Sequence, residues 1–389
     1  MKIKKVAIVT GSRSEYGILK PLILKIENDT DLSLSLIVTG MHLCKDFGST
    51  KKEIIASNYR EVYFCPMYNS NKIDSKEYRS IGLSKAIGEI SNVLSKNRPD
   101  IVVVLGDRLE IMAASLAAAC LKIPIAHIHG GDKTDDGHID ESIRHSVSRF
   151  SHLHFTASSM HAKRLARMGE SKGRIFNVGA LGIDSLVEGN IKSKKILLSD
   201  LKFKVSHNED LITCIFHSSD DIVDKIDYHV ECLIDSILQI GKPTVWIYPN
   251  NDPGSDTIIK NLKKLDSCKF IKTYKNINHE DYVSLLFRSS VMVGNSSSGI
   301  IEAATFNLPV VNIGSRNKDR DCNSNVIFVD SDKDQIIDSI NKTLNDENFI
   351  KKICNEKSIY GNGNTSDKII EILKSTTVDD KFMKKMIEY

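Results

Sequence analysis

Two aspartates, each close to an arginine in the chain, are the side chains best suited to move protons. Asp107 and Arg108 follow the wholly apolar run 101–105 after a single glycine. A carboxylate there either caps the next helix or faces a ligand. Asp140 and Arg144 stand four apart, so on a helix they share a face. They are either a helix ion pair worth about a few tenths of a kcal/mol or, on the same rim as Asp107 and His129, part of a site. Ser297 and Ser298 precede a helix expected to begin around Ser298, where hydroxyls and unpaired N–H groups suit a phosphate. Glu302, one turn further on, could hold the hydroxyls of a ribose. The plainer alternative is a serine N-cap beside a surface glutamate. Arg13, in the turn after the first apolar run, could reach a diphosphate or pair with Glu15.

Histidines crowd one stretch: His127, His129, His138, His145, His152 and His154. His127 and His129 are spaced i, i+2 and could point the same way from a strand, as two metal ligands would. No cysteine joins them at metal-site spacing and no HExxH occurs, so no metal is expected. GSRSEYG at 11–17 is not the GxGxxG dinucleotide fingerprint, and GNSSSG at 294–299 is not the GxSxG nucleophile elbow. No cofactor is therefore expected.

Alternating strands and helices position these groups. Near-continuous apolar runs at 6–10, 34–39, 101–105, 125–128, 153–156 and 175–178 read as strands buried on both faces. Helical patterns fall between them at 18–27, 81–96 and 109–121. After a polar break at 192–208 the alternation resumes, with strands at 211–216, 244–248, 269–274, 291–294, 310–313 and 326–329. Helices are expected at 222–240 and 282–289. The pattern predicts an α/β chain of two Rossmann-like domains facing a cleft. Polar residues follow the strand ends, where ligands of open α/β sheets bind: Arg13, Asp107, His129, His217, Asn250, Asp252 and Asn295 among them.

Bulk properties narrow the function. A chain of 389 residues is long for one compact domain. Its 53 basic and 50 acidic residues are interspersed, which gives no electrostatic footprint for nucleic acid. The run 192–195 reads as a solvated linker edge. Eight cysteines are scattered without a CxxC pair, no stretch is long enough to span a membrane, and no signal-peptide pattern precedes the first strand, so a cytoplasmic compartment is expected.

Taken in order, the motifs resemble the UDP-N-acetylglucosamine 2-epimerase family, in its hydrolysing branch, over nearly the whole chain. They are GSRSEYG (11–17), VTGMHL (38–43), LGDRLE (105–110), HIHGGD (127–132) and IDESIRHSVSRFSHLHF (139–155). FHSSD (216–220), YPNNDPGSD (248–256), GNSSSGIIEA (294–303) and PVVNIGSRNKDR (309–320) follow. The resemblance implies a glycosyltransferase-B-like fold, an N-terminal domain at 1–190, a UDP-binding domain at 191–364, and a segment at 365–389 packed back on the first. It implies that Ser297 and Ser298 bind phosphate, Glu302 the ribose, and His217 and Arg13 the diphosphate, with Asn250, Asp252 and His279 lining the nucleotide pocket. The implied reaction eliminates UDP across C1–C2 and then adds water with inversion at C2. It would use Asp107 and Asp140 for proton transfer, Arg144 and Arg108 to position anionic groups, and His217 to neutralise developing charge. The partners implied are a UDP-sugar and a second copy of the chain. Two positions depart from the family pattern: Ile18 replaces a frequent Lys and His129 a frequent Glu. His129 then becomes a candidate base, and a UDP-linked 2,4-diacetamido-2,4,6-trideoxy sugar a candidate substrate beside UDP-GlcNAc. A UDP-sugar glycosyltransferase, a non-hydrolysing epimerase and a silent UDP-sugar sensor are the competing readings.

Overall fold

The structure, a computed structural model, describes residues 3–44, 50–68, 76–133, 139–219, 222–249 and 253–388. The first sheet holds β1 (Lys4–Thr10), β2 (Leu32–Val38), β3 (Val62–Phe64), β4 (Ile101–Leu105), β5 (Ile125–Ile128), β6 (Leu153–Thr156) and β7 (Ile175–Asn177). Their spatial order is β3-β2-β1-β4-β5-β6-β7, and all pairings are parallel. The second sheet holds β8 (Ile212–Ile215), β9 (Thr244–Ile247), β10 (Ile271–Tyr274), β11 (Val291–Gly294), β12 (Val310–Ile313) and β13 (Val326–Val329). Its order is β10-β9-β8-β11-β12-β13, again parallel. Each sheet therefore reverses its winding once, between β1 and β4 and between β8 and β11. Such switch points open a crevice at the strands' carboxyl ends.

Continuous apolar strands follow from helices on both faces. In β4, Ile101, Val103 and Leu105 pack with Leu19 and Leu22, while Val102 and Val104 pack with Ile111 and Ala114 on the other side. The short edge strand β3 was not expected from the sequence. Its three residues, VYF, make a run shorter than the other expected strands and are only half-buried.

Helix starts moved more than strands did. The helix expected at 18–27 begins at Arg13, because Ser12 and Glu15 form a capping box. Ser12 Oγ accepts from Glu15 N (3.4 Å), and Glu15 Oε2 accepts from Ser12 N (3.1 Å) and Gly11 N (2.7 Å). Lys192 is not the solvated edge expected. Its ammonium pairs with Asp200 at 2.8 Å and Asp281 at 2.6 Å, and a helix capped by Ser193 runs Lys194–Asp200.

The described residues form two compact units, one within 3–133, 139–187 and 360–388, the other within 188–359. The partition falls at 187/188 and 359/360, against the 190/191 and 364/365 drawn from the sequence. In the first unit Asp184 caps the Thr365–Ser375 helix, accepting from Thr365 N (3.0 Å) and Ser366 N (2.6 Å). Arg174 donates to Phe382 O (2.6 Å), and Lys385 to Arg149 O (2.7 Å), so the last residues lie along this unit. Among the described residues no helix is long and apolar enough to cross a membrane.

Candidate active site

In the first unit the chemistry-bearing groups stand where β1, β4 and β5 end. Gly106 leaves β4 at φ +77°, and the next residue, Asp107, turns to the Ile139–Phe150 helix. Arg144 of that helix, only 4 % exposed, grips it: Nε donates to Asp107 Oδ2 at 2.9 Å and Nη2 to the same oxygen. Arg144 Nη1 donates to Glu141 and to Asp132 O (3.3 Å). The capping alternative for Asp107 fails, since Arg108 is the N-cap of the Leu109–Cys120 helix and caps it with no side-chain bond. Asp140 lies in the first turn of the arginine's helix, near enough for its charge to act on Arg108.

The histidines divide. His127 is fully buried; Nε2 donates to Gly106 O (2.8 Å) and Nδ1 lies 3.0 Å from Ser148 Oγ. Burial holds its pKa down to about 3, so the ring is a neutral brace with neither nitrogen open to a metal. His129 lies beyond the end of β5 at φ +65°, which breaks the strand alternation expected to align it with His127. Its Nε2 accepts from Leu181 N at 3.2 Å, and burial lowers its pKa to about 4. A neutral ring whose Nε2 lone pair is engaged keeps its proton on Nδ1. His129 is therefore placed as a donor, not as the base considered from the sequence. His154 and His152 also stay structural. His154 Nε2 meets Glu170 at 2.9 Å, and His152 stacks on Phe382. His138 lies outside the described residues. Among those described, no three His, Cys, Asp or Glu side chains are grouped to hold a metal.

Arg13 is exposed on the first turn of its helix. Of the two alternatives, the pairing with Glu15 is not formed: Glu15 accepts from the amides of Gly11 and Ser12 and lies 3.7 Å from Arg108 Nε. Arg108 also lies 3.4 Å from Glu110, a carboxylate buried to 1 % exposure. Glu110 and Asp132 were not singled out from the sequence, and Glu15 and Glu141 were given no part in a site. Only Glu15 left a readable signal there, the S-x-x-E of a capping box.

The second unit builds its rim at β8 and β11. Gly294 ends β11 at φ +132°, and a Cβ there would lie 2.0 Å from Ile215 O. The close approach lets Asn295 clamp the neighbouring strand end, its Oδ1 accepting from His217 N (2.7 Å) and its Nδ2 donating to His217 O (2.9 Å). Arg316 and Asn317 donate to Asn295 O. His217 is 6 % exposed, and burial with the nearby Arg316 charge lowers its pKa to about 4. The helix expected at Ser298 runs Ser297–Ile301 with Ser296 as its cap. Ser298 Oγ donates to Glu302, and Tyr282 OH shares the same contact. Glu302 is thus no surface residue: burial raises its pKa, and the bond from Ser298 opposes the shift. His279 opens the His279–Arg288 helix and acts electrostatically on Glu302. Asn250 and Asp252 lie outside the described residues.

A rim of neutral imidazole, serine hydroxyls and Arg316 suits an anionic group, and a buried Glu suits paired hydroxyls. A carboxylate held by a guanidinium suits proton transfer. Known proteins resemble the chain over most of its length. The model of the UDP-N-acetylglucosamine 2-epimerase family matches residues 24–374. The chain is 34% identical, over 94% of both chains, to a UDP-N,N'-diacetylbacillosamine 2-epimerase (hydrolyzing) of Legionella pneumophila. It is also 34% identical, over 87% of both chains, to a UDP-N-acetylglucosamine 2-epimerase of Neisseria meningitidis. A UDP-GlcNAc 2-epimerase from Neisseria meningitidis, solved with UDP-GlcNAc bound, superposes with a TM-score of 0.78 at 21% identity, over 96% of this chain and 100% of that one, and shares the glycosyltransferase-B-like fold.

Proposed function

The chain belongs to the UDP-N-acetylglucosamine 2-epimerase family, in its hydrolysing branch, and from that premise we propose that it converts UDP-GlcNAc to UDP and free ManNAc. The observation that carries the reading is Asp107 at the end of β4, both Arg144 bonds landing on its Oδ2.

The reaction is an elimination followed by a hydration. A base takes the C2 proton, the C1–O bond breaks with its electron pair leaving on UDP, and a C1=C2 double bond forms. Water oxygen then bonds to C1 while a proton reaches C2 on the opposite face. Asp107 and Asp140 carry the proton transfers, which call for two carboxyl groups in different environments. Arg144 holds Asp107, and Arg108 positions the sugar nucleotide. His129 contributes an Nδ1–H donor. In the second unit Ser297 and Ser298 take the phosphates and Glu302 the ribose, with Asn250, Asp252 and His279 around the nucleotide. His217 donates a hydrogen bond to the diphosphate as charge develops on it, and Arg13 adds a cation. A homodimer and a cytoplasmic location belong to the same reading, as does supply of the free sugar for nonulosonate synthesis.

A second substrate is favoured by one side chain. Ile18 packs against the apolar core of the first unit, in a place where the family pattern often carries lysine. An apolar contact suits the 6-methyl group of UDP-2,4-diacetamido-2,4,6-trideoxyglucose. Incubation of each sugar nucleotide in deuterated water, followed by NMR, tests both. Free sugar deuterated at C2 together with UDP supports the reaction, and the faster substrate identifies the sugar. A UDP-linked product, or no product from either, refutes it.

A further inference from the structure

The carboxyl ends of β1, β2 and β4 converge on one buried cluster, of which the proposed chemistry uses Arg108 alone. Glu110, in the first turn of the Leu109–Cys120 helix, lies over the turns that follow β1 and β2. A Cβ at Gly11 would fall 2.7 Å from its Cγ, and one at Gly40 2.4 Å from its Oε1. Only glycine at both positions leaves room for this side chain. Glu15 approaches from the other side, held through Oε2 by the amides of Gly11 and Ser12. Between the two carboxyls lies Nε of Arg108, 3.4 Å from Glu110 Oε2 and 3.7 Å from Glu15 Oε1. Met41 Sδ lies 3.2 Å from Nη2. Glu15 Oε1, Glu110 Oε1 and Arg108 Nε are buried without a hydrogen-bond partner among the described residues, yet the arginine side chain keeps 37 % of its surface exposed.

We propose that Glu15 and Glu110 are positioning residues for Arg108: the two buried carboxyls share one proton, hold the guanidinium from its Nε side, and so set the affinity of this rim for an anionic sugar nucleotide. One cation cannot balance two buried carboxylates, so one of them keeps its proton. Glu15 is that one. Burial, then repulsion from Glu110, raise its pKa to about 8, against the opposing pull of Arg108 and of the two amides. Below that pH the cluster of one neutral acid, one carboxylate and one guanidinium sums to zero. Above it the cluster is a net anion and opposes the diphosphate. The other groups facing the cluster are His42, Tyr68 and Asp140, with Cys44 and Arg79 acting on Tyr68. His42 stays neutral, its pKa lowered to about 4 by burial and Arg108. Tyr68 stays neutral as well, pushed up to about 12 by burial and Glu110.

This inference rests on the sugar-nucleotide reading, and its test separates the two. In the full-length enzyme, kcat and KM for the substrate turned over are followed from pH 6 to 9, with Glu15→Gln and Glu110→Gln alongside. If only the protonated cluster binds, KM rises about tenfold between pH 7 and pH 9, as the competent fraction falls with a pKa of about 8. Each variant keeps only one carboxyl beside one guanidinium and so never becomes a net anion, whatever the pH at which that carboxyl titrates, and the rise disappears in each. A purely structural role would leave the pH step in place, as would titration of Cys44. The proton itself is read without turnover, from the 13C carboxyl signal that is lost in Glu15→Gln. It titrates near pH 8 in the parent and at least one pH unit lower in Glu110→Gln. A step that persists in both variants, its absence from the parent enzyme, or a Glu15 carboxyl titrating below pH 6 overturns the proposal. Failure to turn over any UDP-sugar overturns the functional reading, whatever the carboxyl titration shows.

Discussion

Replacing Asp107 by Asn separates proton transfer from architecture. The amide keeps the shape but removes the charge on the oxygen that accepts both Arg144 Nε and Nη2. Breaking a buried ion pair costs about 3–5 kcal/mol when the surviving charge is left without compensation. Here Glu141 still holds Nη1 and the Asp107 side chain is 26 % exposed, so the cost falls to about 1–2 kcal/mol. In a unit of this size that lowers the melting temperature by about 2–8 °C and leaves the protein folded at 25 °C, given a typical stability of about 5–15 kcal/mol. Loss of a proton-transfer group lowers kcat by about 10²–10⁴. Scanning calorimetry, steady-state kinetics and UDP titration on one preparation decide the matter. The expected result is a small melting shift, a UDP Kd within about twofold of the parent, and kcat reduced at least a hundredfold. Weak UDP binding with kcat retained, or a loss of rate no larger than the unfolded fraction, refutes proton transfer by Asp107.

Three further outcomes are expected. His217 is neutral in the free protein, its pKa lowered to about 4 by burial and Arg316, and a bound diphosphate raises it. UDP binding at pH 5.5 therefore takes up protons, measured by calorimetry in two buffers of different ionisation heat, and His217→Asn abolishes the uptake. Gly294→Ala forces a side chain into the φ +132° backbone and to within 2.0 Å of Ile215 O. It should destabilise the second unit by at least about 2 kcal/mol in denaturant titrations, since strain at such a position alone costs about 1–3 kcal/mol. Burial pushes the Glu170 carboxyl up, but hydrogen bonds from His154 and Lys385 together outweigh it and hold the group at about 2, below the ordinary 4.5. A depressed acid stabilises the fold above its unfolded pKa and loses that contribution as pH falls from about 4.5 towards 2, about 3 kcal/mol in all. Glu170→Gln should therefore unfold more easily at pH 7 and differ little from the parent near pH 2, by denaturant midpoint.

Strands were easy to read because a parallel strand covered on both faces is apolar at every position. The runs at 101–105, 125–128, 291–294 and 310–313 coincide with β4, β5, β11 and β12. β3 escaped because an edge strand lacks that double cover. Helix starts escaped where polar residues begin them, as at Ser12, whose capping box resembles turn chemistry in composition.

The sequence by itself determined the α/β alternation, its division into two halves, and the placing of ionisable groups just beyond strand ends, because each depends on residues near one another along the chain. Only the tertiary structure decided which of those groups meet. Arg144 takes Asp107 from another element 37 residues away, His129 spends a lone pair on Leu181 N–H, and Glu110 enters a space left by two distant glycines. The physical reason is that charge state and hydrogen-bond supply depend on burial and on partners from other strands. Nothing local in the chain records either.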